Sequence, residues 1–304
     1  MWAGVKSCVP GAGQAQACPT TIGLTIGSGI LAENALHIWN HPSAEASAAD
    51  AVARQANAAW QPAQITADDG ARLDAWLFTP ARPNGAGVIL MHGVGDTRLG
   101  MTGHAPFLLR AGYTVLMPDS RGHGASGGGI ITYGVRESGD IHRWADLLLR
   151  QPGIARLYGL GQSMGAAILL ESLPREPRFR ALVADSPFAS FQEIACDRLA
   201  QHALPGRFAY WPVVSLGFIY ARARYGVNLW SAAPADAVRA THTPILLIHG
   251  SEDDNIPPRH SRELHVANPV DTELWVVPGA GHVASLATQP EAYQRRVIAW
   301  FGAH

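Results

Sequence analysis

From about residue 63 to the C terminus, short apolar segments alternate with segments that have the spacing of amphipathic helices. This alternation is typical of a mostly parallel sheet with helices on both faces, because each parallel crossover needs a long connection. We therefore predict an α/β fold with an eight-stranded, mostly parallel sheet, whose first two strands form an antiparallel hairpin around Asp69 and Gly70. The predicted strands are Gln64–Asp68, Leu73–Thr79, Gly87–His92, Thr114–Pro118, Arg156–Leu160, Ala181–Asp185, Ile245–His249 and Glu273–Val277.

One segment interrupts the alternation. Residues 187–236 contain no clear strand and are rich in aromatic residues, arginine and alanine. A stretch of this length without a place in the sheet is typical of a helical lid insertion. Because ligand pockets are mostly apolar, we expect two or three of its aromatic side chains to contact substrate, with Phe188, Phe191 and Trp211 as candidates. The alternative is that most of them only attach the lid to the rest of the domain.

A glycine-flanked serine follows the fifth predicted strand, in the sequence Gly161-Gln162-Ser163-Met164-Gly165, and a helical run begins at Ala166. A serine on a sharp strand-to-helix turn exposes its hydroxyl at the end of the strand. The two glycines remove side chains where backbone segments approach closely. Ser163 is therefore the candidate nucleophile.

A serine hydroxyl needs a base, and His282 is the candidate among the 13 histidines. It follows the last predicted strand and a turn at Pro278–Gly281, which places it at the carboxyl edge of the sheet with Ser163. The histidine in turn needs an acid, and Asp253 lies on the loop after the seventh predicted strand. Its neighbour Asp254 and the strand-terminal Asp185 are the alternatives that we considered.

Acyl transfer also needs donors for the oxyanion of the tetrahedral intermediate. The third predicted strand ends in His92-Gly93-Val94-Gly95, whose small residues let the backbone N–H of Val94 point into the site. The N–H of Met164 follows the nucleophile. We expect these two N–H groups to form an oxyanion hole, with His92 as a hydrogen-bond partner that orients the loop.

With these motifs in order, the chain resembles the α/β-hydrolase superfamily, near its esterase and serine-aminopeptidase-like branch. The resemblance covers about residues 63–302 and implies the α/β-hydrolase fold, a Ser163–His282–Asp253 triad and an oxyanion hole at Val94 and Met164. Serine at position 163 separates the chain from members that use an aspartate there. The motifs that carry the resemblance are His92-Gly93, Asp119–Ser126, Gly161–Gly165, His249–Asp253 with Ile256-Pro257, and Gly281-His282.

The first 59 residues lie outside this pattern, so we predict an N-terminal extension over residues 1–59 and a hydrolase domain over residues 60–304. The extension is expected to contain a short helix at Gly27–Trp39 after a poorly ordered tail. We expect a cytoplasmic protein, because the apolar stretch from Ile22 to Leu31 is too short to span a bilayer. Weak membrane proximity through this segment, or a processed and exported start, is the alternative.

Composition narrows the class of protein. The formal net charge is −1 and there is no long basic run, so nucleic acid is not expected as a partner. The three cysteines, Cys8, Cys18 and Cys196, are too few and too scattered for a disulfide framework or a zinc site. Cys8 and Cys18 could pair in an oxidising compartment, but we expect two free thiols. We expect no metal and no cofactor.

The leading interpretation is a serine hydrolase that cleaves small-molecule carboxylic esters with small to medium apolar acyl groups, through an acyl-enzyme. An aminopeptidase, amidase or thioesterase would use the same three side chains. An aminopeptidase also needs carboxylates for the free amine, for which Glu193 and Asp197 are candidates. A catalytically silent binding protein on the same fold is the alternative from another class.

Overall fold

The computed structural model describes residues 19–37, 46–202 and 207–304. Eight strands form a single sheet in the described residues. They are β1 (Ala58–Thr66), β2 (Arg72–Pro80), β3 (Ala86–Met91), β4 (Thr114–Pro118), β5 (Arg156–Gln162), β6 (Phe179–Asp185), β7 (Ile245–Gly250) and β8 (Thr272–Val277). Their spatial order is β1-β2-β4-β3-β5-β6-β7-β8, and β2 alone runs in the direction opposite to the other seven strands. The predicted fold class is confirmed.

The helices are α1 (Pro19–Leu36), α2 (Ala46–Ala56), α3 (Ala105–Arg110), α4 (Glu137–Leu149), α5 (Met164–Ser172), α6 (Phe191–His202), α7 (Trp211–Tyr225), α8 (Pro234–Ala240), α9 (Arg259–Ala267), α10 (Ser285–Thr288) and α11 (Pro290–Ala303). Short 3-10 turns lie at Arg98–Met101, Arg207–Tyr210 and Leu229–Ser231. None of the helices in the described ranges combines the length and the apolar character that crossing a bilayer requires.

The sheet is covered on both faces, as the alternation of elements predicts. On one face, α2, α3 and α11 contribute Val52, Leu108 and Phe301 to a buried cluster. On the other face, α4, α5, α8 and α9 contribute a second cluster that includes Trp144 and Leu264. Burial from both sides explains why the central strands consist of unbroken apolar residues.

The hairpin at the sheet edge is longer than expected. β1 begins at Ala58, six residues before the predicted start at Gln64, and pairs with β2 along its whole length, from Ala58 opposite Pro80 to Thr66 opposite Arg72. Pro62 argues against a central strand, but an edge strand tolerates proline because one side of its backbone faces solvent. The predicted domain boundary at residue 60 therefore falls inside β1.

The helices between β6 and β7 form a third cluster above the carboxyl ends of the strands, with Phe191, Ile194, Val214 and Phe218 in its core. The predicted insertion ends at residue 236, inside α8. Since the buried Val238 of α8 packs into the cluster on the sheet, α8 belongs to the helical layer of the domain. The insertion itself consists of α6, α7 and the 3-10 turns beside them.

The N-terminal helix lies earlier in the chain than predicted, at Pro19–Leu36 in place of Gly27–Trp39. It packs along α7, and Leu36 is fully buried in the third cluster. Two tyrosine hydroxyls of α7, those of Tyr220 and Tyr225, donate to the Glu33 carboxylate at 2.5 and 2.8 Å. The predicted tail, Cys8 and Cys18 lie outside the described residues.

Candidate active site

Ser163 occupies a sharp turn between β5 and α5. Its backbone has φ 53° and ψ −120°, a conformation that costs free energy for a residue with a side chain. The backbone N–H of Ser163 donates to the carbonyl oxygen of Asp185 at 2.8 Å, which ties the turn to the end of β6. The strained turn presents the Ser163 hydroxyl at the carboxyl edge of the sheet.

The two glycines of the motif are required by close backbone contacts. A Cβ atom at Gly161 would lie 2.5 Å from the carbonyl oxygen of Gly165, and one at Gly165 would lie 2.4 Å from that of Met91. Both distances are well below van der Waals contact. Gly161 therefore allows β5 and the start of α5 to approach closely, and Gly165 allows α5 to pack against the end of β3.

His282 lies beside Ser163, on the loop between β8 and α10. Its Nε2 atom is 2.9 Å from Ser163 Oγ. The loop is attached to the sheet through the N–H of Glu252, which donates to the Ala280 carbonyl at 2.9 Å, and through the N–H of Val283, which approaches Ser186 Oγ at 3.4 Å. The imidazole is thus held next to the hydroxyl by the loops that follow β6 and β7.

Asp253 lies on the other side of the imidazole, with its Oδ2 atom 2.7 Å from His282 Nδ1. Its Oδ1 atom accepts from the N–H groups of Asn255 and Ile256 at 3.0 and 2.8 Å. Burial raises the pKa of the Asp253 carboxyl, but the hydrogen bonds from His249 and His282 outweigh burial and hold this pKa well below its ordinary value. Asp253 is therefore a carboxylate that keeps the Nδ1 proton on His282.

The two alternative acids take other places. Asp254 is exposed. Asp185 is fully buried, with its carboxyl 3.2 Å from Ser186 Oγ and 3.3 Å from Ser285 Oγ. Burial raises its pKa to about 6, against the opposing effects of His249 and the serine hydroxyls. Asp185 thus contacts the serine hydroxyls of two neighbouring loops. The acid in contact with His282 is Asp253.

The loop that carries Val94 is supported by two buried histidines. His92 Nε2 accepts from the N–H of Ser120 at 3.0 Å, and its Nδ1 donates to the Gly93 carbonyl at 2.8 Å. Burial and the neighbouring His123 lower the pKa of His92 to about 4, so its ring is neutral, as an accepting Nε2 atom requires. His123 Nε2 accepts from the N–H of Gly95 at 3.3 Å. The role of His123 was missed in the sequence, where it is visible only as part of the Asp119–Ser126 motif.

A cavity of about 370 Å³ lies over Ser163, Met164 and Val94. Among the predicted contact residues, Phe188 and Phe191 line it. Trp211 does not: it is the first residue of α7, and 41% of its surface is exposed. The prediction for Trp211 is wrong in this structure because the apolar face of α7 that meets the cavity begins two residues later, at Val213.

Part of the cavity wall comes from regions to which the sequence analysis assigned no role. Leu31, Ala32 and Ala35 of α1 line it, as does Tyr133. The Tyr133 hydroxyl donates to the Ala35 carbonyl at 2.7 Å, and its ring stacks on Phe191 with a centroid distance of 3.8 Å. The N-terminal extension is thus part of the candidate site, which no local pattern in the sequence indicated.

Three side chains that are able to bind a metal, Glu193, His260 and Glu263, come within 4.8 Å of one another. The Arg259 guanidinium contacts the two glutamates at 2.8 and 2.7 Å, and His260 Nε2 lies 3.0 Å from Asp197 Oδ2. Arg259 and His260 thus already bind the carboxylates, so the cluster is best described as an ion-pair network between α6 and α9.

Comparison with known proteins agrees with this architecture. Residues 88–296 match the model of the alpha/beta hydrolase family. The chain is 29% identical to the uncharacterized protein YqkD of Bacillus subtilis over 69% of each chain, and 28% identical to YfhR of Escherichia coli K12 over 77% of this chain and 78% of that protein. The structure of the Pyrococcus furiosus esterase Pf2001 superposes with a TM-score of 0.70 at 23% identity, covering 88% of this chain and 99% of that one. The chain belongs to the alpha/beta hydrolase family.

Proposed function

We propose that this protein is a serine hydrolase that cleaves carboxylic esters through an acyl-enzyme. The observation that carries the proposal is the line of contacts from Ser163 Oγ to His282 Nε2, at 2.9 Å, and from His282 Nδ1 to Asp253 Oδ2, at 2.7 Å. This geometry allows a hydroxyl to lose its proton to an imidazole that a carboxylate holds in the correct tautomer.

In the proposed reaction, Ser163 Oγ attacks the ester carbonyl carbon while His282 Nε2 takes the hydroxyl proton. The N–H groups of Val94 and Met164 donate to the resulting oxyanion. When the intermediate collapses, the bond to the alcohol oxygen breaks and His282 protonates the departing alkoxide. Water then repeats the sequence on the acyl-enzyme, with His282 as base, and releases the acid and Ser163.

The cavity favours an ester with a small to medium apolar portion. Its wall is built mostly from aliphatic and aromatic side chains, and its volume of about 370 Å³ lies near the lower end of the range for ligand pockets. The fold is also shared with Pf2001, which is described as an esterase.

An aminopeptidase activity has less support. It needs a carboxylate that binds the free amine, and no acidic side chain lines the cavity in the part of the chain that the structure describes. The candidates Glu193 and Asp197 instead contact Arg259. YuxL of Bacillus subtilis, called an uncharacterized peptidase, is 24% identical, and the match covers only 38% of its length.

The test is a series of p-nitrophenyl esters from acetate to palmitate, run beside an aminoacyl p-nitroanilide and an acyl thioester. We expect the short and medium esters to be cleaved with the highest kcat/KM. Ser163→Ala should abolish this turnover while leaving the fold intact by circular dichroism. Faster cleavage of the thioester or the anilide would reassign the bond type, and no turnover by folded protein would favour a binding protein.

A further inference from the structure

One charged side chain, Arg198 of α6, lines the candidate cavity; the other described residues of the wall are apolar or uncharged. A cation beside an otherwise uncharged cavity attracts a substrate with a negative group and gives no advantage to an apolar one.

The hydrogen bonds of Arg198 leave its charge unneutralised. Its guanidinium donates to the side-chain oxygen of Asn255 and approaches that of Gln201 at 3.5 Å, and both of these are neutral acceptors. No carboxylate of the described residues forms a salt bridge with Arg198, whereas the neighbouring Arg259 contacts Glu193, Asp197 and Glu263. Among the described residues, the charge of Arg198 thus has no carboxylate partner, and its guanidinium has N–H donors left for a ligand.

Arg198 is also connected to the candidate catalytic groups. Asn255, its acceptor, lines the cavity as well, and the backbone N–H of Asn255 donates to Asp253 Oδ1 at 3.0 Å. Asp253 in turn contacts His282. Three contacts thus connect the guanidinium to the imidazole, and Arg198 and Ser163 line the same cavity.

Building on the proposed esterase function, we propose that the substrate carries a free carboxylate remote from the scissile ester and that Arg198 binds it. A planar guanidinium is suited to this task, because it donates two parallel N–H groups to a carboxylate. The apolar wall, which includes Phe188, Phe191 and Leu31, then contacts the hydrocarbon segment between the two ends.

The experiment compares esters that differ in one remote charge. For a carboxylate in the acyl half, the pair is the p-nitrophenyl monoester of adipic acid and p-nitrophenyl hexanoate. For a carboxylate in the alcohol half, the pair is 4-butyryloxybenzoate and phenyl butyrate. The measured quantity is the ratio of kcat/KM for the charged ester to kcat/KM for the neutral ester in each pair.

We expect Arg198→Gln to lower this ratio by about tenfold for at least one pair, mainly through KM, and Arg198→Lys to lower it less. The expected change is modest because an exposed cation is screened by water and salt. In the wild type, 0.5 M NaCl (about a 4 Å Debye length) should reduce the ratio in the same direction.

Two variants serve as controls. Arg222→Gln removes the same charge from the exposed side of α7, outside the cavity wall, and should leave the ratio unchanged. Asn255→Ala removes the side-chain acceptor of Arg198 but keeps the charge of Arg198, so any loss should affect both esters of a pair alike.

Equal losses on charged and neutral esters in Arg198→Gln would overturn the inference, because Arg198 would then only position the Asn255 loop. If the neutral esters are hydrolysed but the ratio of kcat/KM values does not depend on Arg198, this inference is wrong and the proposed esterase function stands. If folded wild-type protein cleaves none of the esters, the proposed function fails and this inference fails with it.

Discussion

Replacing Asp253 by asparagine tests the tautomer of His282. The backbone N–H groups of Asn255 and Ile256 both point at Oδ1, so the amide oxygen of the new side chain must take that position. Its NH₂ group then faces His282 Nδ1 in place of Oδ2. An amide that donates to Nδ1 moves the imidazole proton to Nε2, where it prevents His282 from accepting the proton of Ser163.

The expected loss is large. In serine proteases the same substitution lowers kcat by about 10⁴, which corresponds to a barrier increase of about 5.5 kcal/mol. We expect a similar factor for Asp253→Asn, because the two fixed backbone donors favour the amide oxygen at the Oδ1 position. The assay is the steady-state hydrolysis of p-nitrophenyl butyrate, with circular dichroism and thermal unfolding to establish that the variant is folded.

Asp254→Asn is the matched control, since it makes the same chemical change at an exposed neighbour. It should retain turnover within about twofold of the wild type, a barrier change of about 0.4 kcal/mol. Comparable losses in the two variants, or a kcat of Asp253→Asn within tenfold of the wild type, would refute the tautomer argument.

Three further substitutions test the fold around the site. Burial raises the pKa of Asp185 to about 6, so the folded state holds this proton more tightly than the unfolded state, and stability falls as the pH rises from about 4 to about 6. Asp185→Asn removes this pH dependence. In urea unfolding, the free energy of unfolding of the variant should therefore rise by about 3 kcal/mol relative to that of the wild type between pH 4 and pH 7. A difference between the two proteins that stays constant over this range would contradict the raised pKa of Asp185. Gly165→Ala should destabilise the protein by about 3 kcal/mol or more in thermal unfolding, because the new Cβ atom would clash with the Met91 carbonyl oxygen. Gly302→Ala is the control and should leave the stability unchanged, because the space around Gly302 is open. Leu36→Ala should weaken the packing of α1 on the domain by about 2–5 kcal/mol, because it removes a fully buried side chain. The expected results are faster hydrogen exchange in α1 and a higher KM for medium-chain esters. Unchanged exchange would show that other contacts hold α1 in place.

The residues around the nucleophile were predictable because their requirements are local. The turn at Ser163 needs small residues on both sides, and these stand in the sequence at fixed positions. The strands were predictable because burial on both faces leaves them unbroken and apolar. The positions of His282 and Asp253 follow from this, since the loops after parallel strands leave the sheet at one edge.

The cavity was predictable only in part because its walls depend on contacts between distant segments. The link between Glu33 and Tyr220 joins residues 187 positions apart. Neither residue lies in a motif, so the role of α1 in the wall was missed. Trp211 illustrates the opposite error, since it shares a helix face with Phe218 but is the first residue of α7 and lies beyond the cavity wall.

The proposed function requires that His282 make the Ser163 hydroxyl nucleophilic. A fluorophosphonate probe, followed by intact-protein and peptide mass spectrometry, measures this property of the hydroxyl. We expect one adduct per chain, located on Ser163, and no adduct in folded Ser163→Ala or His282→Asn. Labelling that persists in Ser163→Ala, or folded wild-type protein that does not react, would contradict this requirement.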